Sequence, residues 1–326
     1  MTALTPKKQP KTFYLGLDIG GTKCSVVLGD KELNIYEKIF FETKVERGPV
    51  EILEEFKTHI SHLLKVYDGK LAKIGISCGG PLNSKEGIIK SPPNLPGWDA
   101  IEIVSILKKE YRVDVALQND ANACALAEWM MGAGVGTENM VFLTFGTGMG
   151  AGLILNGKLY SGTNDLGGEV GHIRLADDGP VGFGKAGSFE GYCSGGGIAL
   201  LAKGIVSGKL KEGIPVKFCS STKQIENISA KTVFEAALKG DKVALEIIEI
   251  SAAYLGKALA ILIDTLNPEC IVIGSIYARN EALLRPMIYK VLTKEAIPEA
   301  LENCRILPAK LGDEIGDYAA LGVAMQ

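Results

Sequence analysis

The sequence predicts an α/β protein built from two homologous domains. The chain has 326 residues, which is enough for two ordinary domains. A strand, a glycine-rich turn and a second strand are predicted at residues 12–30, and the same unit recurs at residues 139–160. Strand-like and helix-like apolar spacing alternates elsewhere in the chain. Two unrelated hairpins would produce the same recurrence, and on the pattern alone this alternative stays open.

The first half of the chain alternates between strand and helix. Residues 12–30 predict two strands around a Gly-Gly turn, and residues 31–44 predict a third strand. Apolar residues at helical spacing predict a helix over residues 49–69. Residues 71–81 predict a strand that runs into glycines, and residues 113–134 predict a strand followed by a helix.

The second half repeats the opening unit and is then mostly helical. Residues 139–160 again predict a strand, a glycine-rich turn and a strand. The segments 270–275 and 304–310 are β-rich and predict two short strands. No low-complexity linker separates the halves, so we expect two tightly coupled domains with a cleft between them.

Composition excludes several classes of protein. Charged residues make up 22% and hydrophobic residues 47% of the chain, which is typical of a globular protein. The formal net charge of −3 gives no general basic field, so we expect no nucleic-acid partner. We find no secretory leader and no apolar run that could span a membrane, and expect no membrane partner. The seven scattered cysteines predict no disulfide framework, which favours the cytoplasm.

The glycine-rich turn at residues 18–23 suits a phosphate group. Gly20 and Gly21 let backbone N–H groups approach an anion closely, and Thr22 adds a hydroxyl donor. Asp18 stands just before the turn, where a carboxylate can hold hydrated Mg²⁺ against phosphate oxygens. Taken alone, an ordinary Gly-Gly hairpin turn explains the same residues.

A second glycine-rich turn, at residues 145–152, strengthens the phosphate interpretation. Its residues Gly146, Thr147 and Gly148 repeat the pattern of the first turn. Neither turn is a Walker A loop, because GxxxxGK[ST] is absent, and neither is a Rossmann fingerprint, because the glycines lead into strands. Two facing loops of this kind fit a nucleotide held between two domains.

Asp120 is the candidate for acid–base chemistry. It is predicted at the carboxyl end of a strand and the start of a helix, where open α/β sheets bind ligands. A carboxylate there can accept the proton of a substrate hydroxyl that attacks a phosphoryl group. Asp and Asn are also favoured helix caps, and local sequence favours that simpler role for both Asp120 and Asn119.

A glycine-rich segment at residues 168–195 holds further polar candidates. Glu169, His172 and Glu190 combine carboxylates and an imidazole among glycines, which suits a ligand with many hydroxyl groups. His172 is one of only three histidines in the chain, and an ordinary loop histidine is the alternative. The proline-rich loop at residues 91–98 by itself predicts a rigid turn with a packing aromatic residue.

Together these segments resemble the ROK family, whose members are ATP-dependent sugar kinases or sugar-responsive transcription factors with an added winged helix. The resemblance runs from about residue 13 to residue 326. The motifs match in order: DIGGTK, GGP, NLPGW, NDANA, FGTGMGAG, GGEVGH and GSFEGYCSGGG. The resemblance implies a two-domain actin-like (ribonuclease H-like) ATPase fold with an interdomain cleft.

The resemblance also implies how the chain is divided. Residues 1–12 would form a flexible tail. Residues 13–120 would form the smaller N-terminal domain, with the sugar-binding loops and the first phosphate loop. Residues 121–326 would form the larger domain, with the second phosphate loop and the adenosine site. We expect the last helix to pack back on the N-terminal domain.

Individual roles are implied at the positions that match the family motifs. Asp120 would be the catalytic base. The other sugar-binding residues would be Gly79, Gly80, Asn94, Asn119, Glu169, His172 and Glu190. The nucleotide would be held by Asp18, Gly20, Gly21, Thr22, Gly146, Thr147, Gly148 and, near the adenosine, Gly274. Asp18 would hold Mg²⁺ through water.

The sequence departs from the family in the glycine-rich segment. Most members carry three cysteines there, which bind zinc together with the histidine. Val181, Phe183 and Ser188 stand at those positions, so we expect no zinc site and a His172 that contacts only sugar. We expect burial of Val181 and Phe183, and a hydrogen bond of Ser188, to stabilise the segment in place of the metal.

The implied activity is ATP-dependent phosphorylation of a hexose or hexosamine, with ATP and Mg²⁺ as cofactors and a homodimer or homotetramer as the assembly. One alternative is a sugar-responsive transcriptional regulator, which we disfavour because only about a dozen residues precede the first strand. Another is a non-catalytic sugar-binding protein, against which the presence of Asp18 and Asp120 argues.

Overall fold

The computed structural model describes residues 11–326. The strands are β1 (Thr12–Ile19), β2 (Lys23–Gly29), β3 (Ile35–Glu42), β4 (Lys70–Cys78), β5 (Leu82–Asn83), β6 (Ile88–Ile89), β7 (Asp114–Asn119), β8 (Met140–Phe145), β9 (Met149–Leu155), β10 (Lys158–Tyr160), β11 (Val181–Gly182), β12 (Lys185–Ala186), β13 (Cys270–Ile273) and β14 (Arg305–Pro308). The α-helices are α1 (Gly48–Val66), α2 (Ile103–Tyr111), α3 (Asp120–Met131), α4 (Phe189–Cys193), α5 (Gly195–Lys211), α6 (Ala230–Leu238), α7 (Lys242–Leu266), α8 (Ser275–Glu295), α9 (Pro298–Glu302) and α10 (Ile315–Ala324). The expected tail, residues 1–12, lies outside the described residues except for its last two positions.

The chain forms two compact units. The first takes in residues 11–131, together with Ser161–Asp165 and Asp313–Gln326, and the second takes in Gly132–Tyr160 and Leu166–Gly312. The expected boundary at residue 120 coincides with the start of α3, and α3 packs with α10 inside the first unit. The compact first unit therefore extends one helix further than expected and includes the last helix of the chain.

The first unit is built on a mixed five-stranded sheet in the order β3-β2-β1-β4-β7. The three strands β1, β2 and β3 pair antiparallel, as short connections require. The pairs β1–β4 and β4–β7 are parallel, and their crossovers contain α1 and α2. The predicted strands and the two predicted helices of this half, α1 and α3, are thereby confirmed, while α2 and the short β5–β6 hairpin were not predicted.

Alternate residues of β1 face opposite sides of this sheet, and the two sides pack on different helices. Phe13, Leu15 and Leu17 are buried in the apolar core that α1 and α2 cover. Residues of the opposite parity face α10, which approaches so closely that a Cβ atom at Gly16 would lie 2.6 Å from the backbone nitrogen of Leu321. Glycine is required there because any side chain would displace the helix.

The second unit repeats the same sheet. Its strand order is β10-β9-β8-β13-β14, again with three antiparallel strands followed by two parallel ones. The strands β8 and β13 pack on a large apolar core formed with α4 to α8. The predicted recurrence is therefore a repeat of a whole sheet topology. In the described part of the chain, no helix is both long enough and apolar enough to cross a membrane.

Candidate active site

Asp18 lies on the face of the first sheet that α10 covers. It is the next-to-last residue of β1 and has the parity opposite to the buried Leu17 and Ile19. A Cβ atom at Gly316, in α10, would lie 3.5 Å from Asp18 Oδ2. The pKa of Asp18 is raised to about 6: burial is the largest cause, and a hydrogen bond that the Ser77 hydroxyl donates opposes it.

Two other carboxylates and one ammonium group act on Asp18. The negative charges of Asp120 and Asp317 contribute to this raised pKa, and the positive charge of Lys38 opposes it. Lys38 Nζ donates a hydrogen bond to Asp317 Oδ2 at 2.6 Å, so the charge of Lys38 partly offsets that of Asp317. The first unit therefore concentrates acidic groups beside its glycine-rich turn, which is the environment that a divalent cation would stabilise.

Asp120 and Asn119 lie where β7 meets α3. Asn119 Oδ1 accepts a hydrogen bond from the Ala121 N–H at 2.9 Å, so Asn119 serves as a cap for the helix. Asp120 Oδ1 accepts from the same N–H at 2.8 Å. The protein around Asp120 desolvates its carboxylate and raises its pKa, although backbone N–H groups oppose this shift. Because Asn119 also caps the helix, α3 does not depend on Asp120 alone.

The structure brings several of the predicted sugar-binding residues of the first unit together. A Cβ atom at Gly79 would lie 3.6 Å from Asn94 Oδ1 and 4.0 Å from Asp120 Oδ2. A Cβ atom at Gly21 would lie 2.5 Å from the Asn94 carbonyl oxygen, so the proline-rich loop packs directly on the first glycine turn. A Cβ atom at Gly80 would lie 3.2 Å from the Asn119 amide nitrogen. The first glycine turn, the residues Gly79 and Gly80, the proline-rich loop and Asp120 thus form one cluster within the first unit.

The second glycine turn is braced by the start of α5. Gly195 N–H donates to the Gly146 carbonyl at 2.8 Å, and Gly196 N–H donates to the Thr147 carbonyl at 3.2 Å. Sequence reasoning assigned no role to Gly195 and Gly196, although the motif SGGG contains them. A helix N-terminus beside a glycine turn favours an anion.

Glu190 connects the second glycine turn to the glycine-rich segment. Its Oε2 atom accepts a hydrogen bond from the Met149 N–H at 3.0 Å, and a Cβ atom at Gly148 would lie 2.9 Å from the same oxygen. A Cβ atom at Gly171 would lie 2.1 Å from the Met149 carbonyl and 3.4 Å from Glu190 Cβ. The short 3₁₀ turn that ends at His172 therefore packs on the same strand as Glu190.

The expectation that Val181 and Phe183, which stand where most family members carry cysteine, are buried is wrong. Val181 is 50% exposed and Phe183 is 82% exposed, because both lie on the outside of the β11–β12 hairpin. Ser188 is fully buried: it accepts a hydrogen bond from the Gly191 N–H at 3.1 Å and begins α4. The segment is therefore stabilised by Ser188 and by the buried Phe189. Over residues 11–326 no group of three or more His, Cys, Asp or Glu side chains is arranged to hold a metal ion.

A cavity of about 660 Å³ opens beside the second glycine turn. Helices α6 and α8 supply an apolar wall and a polar rim. The lining residues are Gly146, Thr147, Gly195, Gly196, Ser229, Ala230, Lys231, Phe234, Glu235, Leu238, Ser275, Ile276, Arg279 and Asn280. Gly274 precedes Ser275, and its N–H donates to the Leu143 carbonyl at 2.9 Å. The α6 and α8 residues were not predicted, since they belong to ordinary amphipathic helices without a motif.

The two sheets and the glycine-rich turn in each of them identify the fold to which the protein belongs. Two mixed five-stranded sheets of one topology, each with a glycine-rich turn after its first strand, form the actin-like ATPase fold. The ROK family model matches residues 14–326, and the chain belongs to the ROK family.

Named relatives cover most of the chain. A glucokinase of Thermotoga maritima is 32% identical over 318 residues, which are 96% of this chain and 98% of the relative. An N-acetylmannosamine kinase of Escherichia coli is 30% identical over 271 residues, 83% of this chain and 85% of the relative. The crystal structure of a ROK family glucokinase from Streptomyces griseus in complex with glucose and AMPPNP is similar with a TM-score of 0.74 and 27% identity, over 96% of this chain and 99% of that one.

Proposed function

We propose that this chain is an ATP-dependent sugar kinase that transfers a phosphoryl group to a hydroxyl of a hexose or hexosamine. Asp120 carries the proposal: its carboxylate has a raised pKa, lies beside Gly79 and Asn94, and shares the cap of α3 with Asn119. A base with a raised pKa accepts a proton more readily near neutral pH. The kinase relatives support the same reaction.

In the proposed reaction, Asp120 accepts the proton of the attacking sugar hydroxyl. The sugar oxygen forms a bond to the γ-phosphorus of ATP, the bond from that phosphorus to the bridging oxygen breaks, and ADP leaves. The first unit contributes Asn94, Asn119 and Asp120 as sugar contacts, with Gly79 and Gly80 beside them. The second unit contributes the sugar contacts Glu169, His172 and Glu190.

The nucleotide is proposed to bind to groups that both glycine turns supply. Gly20, Gly21, Thr22, Gly146, Thr147 and Gly148 would hold the phosphates. The cavity beside α6 and α8, with Gly274 at its edge, has the size and apolar wall that a small-molecule site requires. Asp18 offers the hard oxygen ligand that Mg²⁺ prefers and would hold it through water; when bound, Mg²⁺ neutralises charge on the transferred phosphoryl group.

A coupled assay of ADP release with MgATP tests the proposal across D-glucose, D-mannose, D-fructose, N-acetyl-D-glucosamine and N-acetyl-D-mannosamine. We expect at least one sugar to stimulate ADP release, and Asp120→Asn to lower that rate by roughly 10²–10⁴-fold. The matched control is Asp114→Asn, since Asp114 is an exposed carboxylate at the other end of β7. Sugar-independent turnover alone, or an active Asp120→Asn, would refute the proposal.

A further inference from the structure

A single aromatic side chain projects from the tip of the β11–β12 hairpin. Phe183 is 82% exposed, the largest exposed fraction of any large hydrophobic side chain in residues 11–326. Its φ angle is 45°, in the left-handed region that favours glycine, and Gly184 follows with a φ of 74°. Phe183 thus combines an unfavourable backbone conformation with an unfavourable exposure to water.

The hairpin beneath Phe183 is tightly constrained. A Cβ atom at Gly182 would lie 2.5 Å from the Gly191 nitrogen and 2.8 Å from Glu190 Cβ, so the hairpin packs directly on α4. The Ser188 hydroxyl donates to the Gly182 carbonyl at 3.3 Å, and Arg174 Nη1 donates to the Ala186 carbonyl at 2.8 Å. The exposed position of Phe183 therefore follows from a fixed hairpin.

Phe183 stands beside His172, one of the residues that we assign to the sugar. Its ring lies edge-to-face with that of His172, with centroids 6.0 Å apart and planes at 81°. Lys185 Nζ donates to the His172 carbonyl at 2.8 Å, which ties the hairpin to the turn that carries the imidazole. A hexose has hydroxyl groups around its rim and C–H groups on its faces. The carboxylate and imidazole groups suit the rim, and an exposed aromatic ring suits a C–H face.

We propose that Phe183 is a further sugar-binding residue that covers an apolar C–H face of the bound sugar. The inference rests on the sugar-kinase function proposed above. Phe183 adds affinity for the sugar in the ground state and in the transition state alike, because it touches no reacting atom. Its removal therefore raises KM for the sugar and leaves kcat and KM for ATP unchanged.

The test measures the sugar KM of Phe183→Asn and of Phe183→Tyr, with a sugar that the wild type phosphorylates. D-glucose and N-acetyl-D-mannosamine are the first sugars to be tried. Asn accepts the left-handed conformation, so the fold is preserved. We expect Phe183→Asn to raise the sugar KM by roughly tenfold to a hundredfold, from the apolar area lost. Phe183→Tyr keeps the ring and should stay within about threefold of the wild type. Val181→Ala, on the same hairpin and 50% exposed, is the matched control.

A purely structural role predicts a different set of results. If Phe183 stabilised the hairpin, Phe183→Asn would lower the melting temperature, whereas we expect it to be unchanged or higher. An unchanged sugar KM in Phe183→Asn, with an active wild type, would overturn this inference and leave the sugar-kinase function intact. A shift in molar mass by light scattering with an unchanged sugar KM would overturn it in favour of a contact with a second copy. A wild type inactive on every sugar would refute the proposed function and this inference together.

Discussion

Asp18 and Thr144 occupy the same place in two sheets of the same strand order. Each is the next-to-last residue of the first strand, on the face opposite the buried core, just before a glycine-rich turn. The Asp18 carboxylate is desolvated beside two other acidic side chains, and its pKa is raised. The Thr144 hydroxyl accepts a hydrogen bond from the Gly150 N–H at 2.8 Å, within its own hairpin.

We infer from this difference that the two units of the repeated fold have different functions. The first unit keeps an ionisable group in a position where its charge is unfavourable, which is typical of a site that binds a cation or performs chemistry. The second unit has a neutral hydroxyl at that position, which accepts a hydrogen bond from a backbone N–H, and a cavity opens beside its turn. We therefore expect substitutions in the first unit to affect turnover and those in the second to affect stability or binding.

The largest contrast is expected from Asp18→Asn. Removal of one preorganised charge at a phosphoryl-transfer site costs roughly 10²–10³-fold in kcat. The same substitution should stabilise the fold near neutral pH, because ionised Asp18 is unfavourable there: a pKa raised from 3.8 to about 6 corresponds to at most about 3 kcal/mol. Steady-state kinetics and urea denaturation of one preparation measure both effects. A variant that is less stable and fully active would remove the distinction between the units.

The pH dependence of that stability difference follows from the sign of the shift. The folded protein binds the Asp18 proton more tightly than the unfolded chain does, so this group lowers stability as pH rises through about 4 to 6. The advantage of Asp18→Asn over the wild type should therefore be fully present above pH 6 and small near pH 4. Urea denaturation at pH 4, 5, 6 and 7 checks this, and an advantage that grew toward low pH would contradict it.

Whereas ionisation of Asp18 lowers the stability of the fold as pH rises, the kinase activity should increase with pH over the same range. Asp18 and Asp120 are both proposed to act in their ionised forms. Because the pKa of Asp18 is raised to about 6 and that of Asp120 is raised as well, kcat/KM for the sugar should fall at least about tenfold per pH unit below about 6. A profile of kcat/KM from pH 5 to 8 at constant ionic strength measures this limb. A level profile down to pH 5 would show that neither carboxylate is needed in its ionised form.

Thr144→Val is the counterpart of Asp18→Asn in the second unit. The substitution keeps the shape and leaves the Gly150 N–H without its acceptor, which should cost about 1–3 kcal/mol of stability. We expect kcat to stay within about twofold, because the hydroxyl serves the backbone and not the reaction. If Thr144→Val lost activity as severely as Asp18→Asn while remaining folded, the two positions would be equivalent in function.

Ser188→Ala is a smaller test within the second unit. Ser188 caps α4, the helix that carries Glu190, and loss of such a cap typically costs about 1 kcal/mol. The midpoint of urea denaturation should fall accordingly, while the exposed Val181→Ala on the neighbouring hairpin should leave it unchanged. A larger loss of stability in Val181→Ala than in Ser188→Ala would instead support the original expectation that Val181 stabilises residues 168–195.

The sequence predicted the repeat and its two glycine turns because strand alternation and adjacent glycines are local signals. It did not predict that Phe183 is exposed, since apolar character indicates burial and the hairpin that turns it outward depends on packing against α4. The sequence did not predict the lining of the cavity either, because Lys231 and Arg279 come together only through the tertiary packing of α6 and α8. The effect of Lys38 on Asp317 joins residues 279 positions apart in the chain.

The division of tasks between the units is tested most directly by Asp120→Asn, with turnover and nucleotide binding measured on the same preparation. Sugar-dependent ADP release reports the chemistry, and calorimetric titration with MgADP reports the nucleotide site. We expect turnover to fall by roughly 10²–10⁴-fold while the Kd for ADP changes by less than about threefold, under 1 kcal/mol. Wild-type turnover in Asp120→Asn, or a loss of ADP binding as large as the loss of turnover in a folded protein, would contradict the assignment of the chemistry to the first unit.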